Sequence, residues 1–168
     1  MTFSGSGSEP PLLSPPRAER TFPVSRREDA LVIGREAQRL GLLFGLTKKR
    51  AGELAIVVSE LASNIAKYGV KGEIGLSFDP DSDPEGDVWV AARDVGPPFR
   101  DLELAKTDGC NDRGPIDPAD ILGRRGLGTG LGAVLRLAEH FECRQDEAGK
   151  EITVLFRREP VSRRRRRT

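Results

Sequence analysis

Apolar residues in this chain follow two repeats, one helical and one alternating. In residues 28–44, Leu31, Val32, Leu40, Leu42, Leu43 and Phe44 recur at helical spacing, with Gly41 and Gly45 near the end, and predict an amphipathic helix. A second helix is predicted over residues 47–68, with Thr47 as its cap and Gly69 as its stop. Its stripe is Leu54, Val57, Val58, Leu61 and Ile65, while Glu53, Glu60, Asn64 and Lys67 take an adjoining face. Such a helix packs on a sheet and keeps a polar edge towards something else. Residues 73–78 and 88–93 read as strands joined by a turn-rich stretch at 79–87, and 21–24 as a short edge strand. A third helix is expected over 131–139, with His140 at its end. A hairpin of 141–145 and 151–157 follows, turning at Ala148, Gly149 and Lys150.

Two stretches lack either repeat. Residues 1–20 are rich in Ser, Gly and Pro and are expected to be disordered. Residues 97–125 collapse into Gly, Pro, Asp and charge, apart from a helical turn near Leu102, and a loop of that length in a compact domain is often a lid or a binding loop. No internal repeat is present.

With 168 residues the chain is expected to form one domain with a real core. Its 27 basic and 26 acidic residues nearly cancel, which removes any broad preference for a polyanion. Aromatics at 5% give no stacking surface for single strands, so no nucleic-acid partner is expected. The arginine run at 163–167 reads as a solvated tail. Cys110 and Cys143 cannot build a disulfide framework or a zinc site. With no apolar leader and no run long enough to span a bilayer, a reduced, cytoplasmic protein is expected.

Three segments carry chemistry. Gly126, Leu127, Gly128, Thr129, Gly130, Leu131 and Gly132 alternate glycine with other residues and flow into the third helix. That pattern presents backbone N–H groups to phosphate oxygens without side-chain interference. Glu60 and Asn64, at i and i+4, lie one above the other on a helix. Asn64 is a neutral oxygen ligand suited to Mg²⁺, and Glu60 can take a proton from an attacking hydroxyl or water. Lys67, one turn beyond Asn64, is within reach of a phosphate. Asp94 leaves a strand into Gly96 and can accept a hydrogen bond from a base edge, with Gly96 admitting a flat ring. A P-loop is ruled out because its Gly-Lys-[Ser/Thr] ending is missing. The loose dinucleotide pattern at 128–133 lacks its βαβ unit.

In this order the three segments resemble the GHKL (Bergerat-fold) ATPases. They are most similar to the small bacterial branch of switch serine/threonine kinases and anti-sigma factors, the RsbT and RsbW type. The resemblance spans roughly residues 22–158. It implies an α+β fold: a two-layer sandwich whose mixed, mostly antiparallel sheet is covered on one face by about three helices. It also implies an ATP-binding kinase domain at 21–158 and a basic tail at 159–168. By the same resemblance Glu60 is the general base, Asn64 the Mg²⁺ ligand, Asp94 and Gly96 the adenine box, and residues 126–132 the second glycine box. Thr153 resembles the family threonine near the adenine, although its usual preceding glycine is replaced. A proline, Pro98, stands where the family's Asp-x-Gly-x-Gly pattern has its second glycine, which stiffens the turn. Asp108, Gly109, Cys110 and Asn111 resemble the lid entry of the RsbT-like kinases. The implied activity is ATP-dependent phosphorylation of a STAS-domain antagonist protein. A sigma factor or a phosphatase as a further partner, and a homodimer, are compatible with the resemblance. The alternatives are an ATP-binding anti-sigma factor that sequesters a sigma subunit, or a nucleotide-binding scaffold with little turnover.

Overall fold

The computed structural model describes residues 18–79, 87–117 and 130–158. Residues 1–17 of the segment 1–20 expected to be disordered, and the arginine run, lie outside them. Five strands form one sheet in the order β1-β2-β3-β7-β6, from β1 (Ala18–Val24), β2 (Gly72–Asp79), β3 (Asp87–Asp94), β6 (His140–Asp146) and β7 (Gly149–Arg157). Every pairing in it is antiparallel. Helices α1 (Arg27–Phe44), α2 (Lys48–Tyr68) and α4 (Leu131–Leu137) accompany it, with a single turn α3 (Leu102–Ala105) and a miniature hairpin of β4 (Cys110–Asn111) and β5 (Gly114–Pro115).

Alternation decides which face is covered. Ile74, Leu76 and Phe78 on β2, Val88, Val90 and Ala92 on β3, and Ile152, Val154 and Phe156 on β7 are all buried and in one phase. They meet the α2 stripe of Leu54, Val57, Val58, Leu61 and Ile65, which is buried as the periodicity predicts. Thr47 caps α2 by accepting from the Arg50 backbone N–H at 3.2 Å.

Several sequence expectations need correction. The buried face of α1 is Ala30, Ile33, Gly34, Ala37 and Gly41, while Val32 and Leu43 are 65% and 73% exposed. Small residues win because α1 lies close on α2. A Cβ at Gly34 would collide with the Ser59 side chain, and the Ser59 hydroxyl donates to the Ala30 carbonyl at 3.2 Å. Residues 18–20, expected to be disordered, extend the edge strand by pairing with Phe78, Ser77 and Leu76. His140 opens β6 opposite Leu155 instead of closing a helix. The preceding helix stops at Leu137, and Glu139 turns back to a buried cation, Arg50.

Candidate functional site

The C-terminal half of α2 forms one wall of a cavity of about 270 Å³, through Glu60, Asn64, Lys67 and Tyr68. The spacing of Glu60, Asn64 and Lys67 keeps them on one side of the helix while Leu61 and Ile65 enter the core. Pro97, Pro98 and Phe99, just after β3, form a second wall. Ala105, Cys110, Asn111, Asp112, Arg113 and Ile116 form a third, and Gly130, Leu131 and Lys150 complete the lining. The described part of the stretch read as a lid, residues 97–117, therefore does contribute to the cavity wall, and its remainder to 125 lies outside the described residues. The Arg100 N–H donates to the Asp112 carboxylate at 3.0 Å and folds that stretch back on itself.

Asp94 continues the inward phase of β3 beyond Val88, Val90 and Ala92, so its carboxylate points into the helix layer and is buried. One oxygen, Oδ1, accepts from the Gly96 N–H at 2.8 Å and from the Lys150 ammonium at 2.8 Å. The missing side chain of Gly96 serves the chain itself. A Cβ there would lie 3.0 Å from Gly69 Cα and 3.0 Å from the Tyr68 carbonyl oxygen. A side chain at Gly69 would in turn press on Asp94 Cγ at 2.8 Å. These two glycines let the end of α2 and the end of β3 close around the carboxylate.

Of the other residues singled out in the sequence, Gly126, Leu127, Gly128 and Thr129 lie outside the described residues. Gly132 is buried, and a Cβ on it would run into the Asp108 carboxylate, which pairs with Arg136 of α4. That contact ties the Asp108, Gly109, Cys110 segment to the helix behind the glycine run. Thr153 is not brought to the cavity. It stands out of phase with Ile152 and Val154, on the opposite face of the sheet, in a shallow hollow with Thr21, Gly75, Trp89 and Arg93. The inward position nearest the cavity on that strand belongs to Lys150.

Lys150 and Phe99 are cavity residues that the motif reading missed. Lys150 is legible in hindsight, because it shares the phase of Ile152, Val154 and Phe156. Phe99 is held by its N–H donating to the Gln145 side-chain oxygen at 3.0 Å, a contact 46 residues apart that no local pattern carries. Cys143, opposite Ile152, is half-buried, and burial pushes its thiol above the ordinary value. Its side chain packs against the core.

The residues present fit a nucleotide with its metal. At one end of the lining Lys150 is backed by an acceptor, Asp94, which with Gly96 lies behind the cavity wall and does not itself line it. A neutral oxygen donor (Asn64), cations (Lys67, Lys150) and the start of a glycine-entered helix complete it. Sheet, helix layer and cavity together define a class, that of the ATPase domains related to histidine kinases. The model of that family, the histidine kinase-like ATPase domain, matches residues 24–156, and the chain belongs to it, in its GHKL branch of RsbT and RsbW type. The chain is also similar to serine/threonine-protein kinase RsbT of Bacillus subtilis (strain 168), with 34% identity over 110 residues that cover 65% of this chain and 71% of RsbT. No helix among the described residues is long and apolar enough to cross a membrane.

Proposed function

We propose that the protein is an ATP-dependent serine/threonine kinase of a bacterial partner-switching pathway, using ATP and Mg²⁺ to phosphorylate a STAS-domain antagonist protein. The observation that carries this reading is the gathering of Glu60, Asn64 and Lys67 from α2 and Gly130 and Leu131 from the glycine run around one cavity. The similarity to the RsbT kinase supports the same reading.

Each residue has a defined task. Asp94 accepts from the amino group of the adenine, and Asn64 offers its carboxamide oxygen to Mg²⁺. Lys67 and the 126–132 glycines, with Gly132 setting the helix entry, neutralise and cradle the phosphates. Glu60 orients the attacking serine or threonine hydroxyl and takes its proton. Bound Mg-ATP supplies the phosphoryl group that is transferred. Chemistry of this kind depends on positioning and electrostatics, so a small domain suffices. Thr153, on the far face of the sheet, has no part in it. The kinase unit runs from the start of β1 at Ala18 to residue 158, three residues longer than the 21–158 expected from the sequence, with the basic tail at 159–168 outside it. The added phosphate would change the charge of the partner's surface and so its choice of complex.

The test is transfer of label from γ-labelled ATP to a STAS-domain protein from the same cell. The unaltered protein is expected to label a serine or threonine, and Glu60→Gln to slow transfer by roughly a hundredfold or more while still binding ATP. Binding of ATP without any transfer, together with tight capture of a sigma factor, would replace the kinase by the anti-sigma reading.

A further inference from the structure

The cavity holds a second buried charge that the nucleotide motifs do not include. The Lys150 side chain is 7% exposed and that of its partner Asp94 3% exposed, and their charged atoms are 2.8 Å apart. The ammonium also donates to the Pro97 carbonyl at 3.0 Å and lies 5.6 Å from the centre of the Phe99 ring. The pair is built by the sheet: Asp94 and Lys150 are directly opposite in the β3–β7 ladder, and both fall on the helix-facing phase. Gly149 makes the approach feasible. Its φ of +149° is one that side-chain-bearing residues rarely adopt, and a Cβ there would collide with the Asp94 carbonyl.

Two readings of such a lysine make opposite predictions. As a plug, it would occupy the carboxylate and have to leave before a base could enter. As a reader, it would stay in place and bond to the base beside Asp94. The bonding inventory favours the second. An ammonium has three donors, and among the described residues two are used, on Asp94 and Pro97. A carboxylate offers about four lone-pair sites, and Gly96 and Lys150 share Oδ1 alone. Lys150 therefore keeps a donor at the cavity wall, with unused acceptor sites on Asp94 directly behind it. The ammonium also compensates a carboxylate that would be costly to bury alone, which a neutral base cannot do.

We propose that Lys150 is a base-reading residue: it holds the Asp94 carboxylate in place and donates its third N–H to a ring nitrogen of the purine, next to the amino group from which Asp94 accepts. The proposal rests on the nucleotide reading given above and deepens it. Adenine offers a donor at its 6-amino group and an acceptor at N1. Guanine offers an acceptor at O6 and a donor at N1, the reverse order. A fixed acceptor–donor pair accepts one edge and leaves buried groups unpaired against the other, which is how polar sites discriminate strongly.

The experiment compares calorimetric binding of ATP, GTP and 1-deaza-ATP, which lacks the N1 acceptor, in the presence of Mg²⁺. On the unaltered protein, 1-deaza-ATP is expected to bind roughly tenfold to a hundredfold more weakly than ATP, the value of a hydrogen bond to a charged group, and GTP more weakly still. In Lys150→Met, shown to be folded by its unfolding midpoint, ATP and 1-deaza-ATP are expected to bind equally. Equal binding of the two by the unaltered protein, which needs no variant to fold, would overturn the assignment of Lys150 and leave the nucleotide reading standing. Tighter ATP binding by Lys150→Met would overturn it in favour of the plug. Failure of the folded, unaltered protein to bind ATP would overturn both.

Discussion

Two buried cations sit at opposite ends of the β3–β7 ladder, and they are used differently. At the Asp87–Arg157 end, Arg50 is 5% exposed and every part of its guanidinium is engaged. It bonds Glu53 at 2.8 Å, Glu139 at 2.7 and 3.0 Å, and the carbonyls of Leu137 and Arg157, and it stacks 3.6 Å from the centre of the Phe156 ring. At the Asp94–Lys150 end, the ammonium has two bonds among the described residues and faces a cavity. A planar fork with all donors satisfied inside the protein fixes one geometry, here the junction of α2, α4 and β7. A compact ammonium with a donor to spare can serve a ligand. Burial alone does not tell a structural charge from a functional one. The remaining bonding capacity does.

The contrast can be broken by experiment. Arg50→Met has the largest expected effect on stability. It strands Glu139 and two carbonyls, and should cost about 3 kcal/mol or more in urea unfolding, while the fraction that remains folded binds ATP as before. A loss of ATP affinity in that folded fraction would show that the two ends are coupled. Gly149→Ala should come next, at about 2 kcal/mol for its strained φ, and here ATP binding should fall as well, because the displaced turn carries Lys150 and the Asp94 backbone. Thr47→Ala removes the cap of α2 and should cost about 1 kcal/mol in the same unfolding assay, with no change in binding.

The smallest effect concerns pH. The backbone N–H groups of Ser25 and Arg26 each donate to Asp29 at 2.8 Å and hold its carboxyl below the usual carboxylate range. A folded value below the unfolded one stabilises the protein above about pH 4 and loses that contribution as pH falls through the folded value. The stability curves of the unaltered protein and Asp29→Ala should accordingly differ at neutral pH and converge in acid.

Most of the fold was legible where one repeat dominates. The α2 stripe and the alternation of β2, β3 and β7 are core residues in the structure, and Thr47 caps as read. Helix α1 was found in place, and Leu40 and Phe44 pack against the core as read, but Leu31, Val32, Leu42 and Leu43 are exposed because close helix packing gives the buried face to Ala37, Gly34 and Gly41. The edge strand was cut short because the pairing of Ala18 with Phe78 is nonlocal and leaves no trace in the composition of residues 18–20. At the site, the i, i+4 spacing of Glu60 and Asn64 was enough to put both at one cavity. Asp94 was singled out as a strand end; its burial follows from the inward phase it shares with Val90 and Ala92. Thr153 was taken from the family resemblance, whereas its phase puts it on the opposite face of the sheet, and the same phase rule points to Lys150. Phe99 depends on a long-range contact to Gln145 and could not have been found from spacing.

The most direct test of the account is a calorimetric titration of Mg-ATP into the unaltered protein, Asp94→Asn and Arg50→Met, each checked for folding. Saturable binding is expected of the unaltered protein, weakened roughly a hundredfold in Asp94→Asn by loss of the charged acceptor, and retained in folded Arg50→Met. Equal affinity in the unaltered protein and Asp94→Asn, or no binding by the folded unaltered protein, would contradict it.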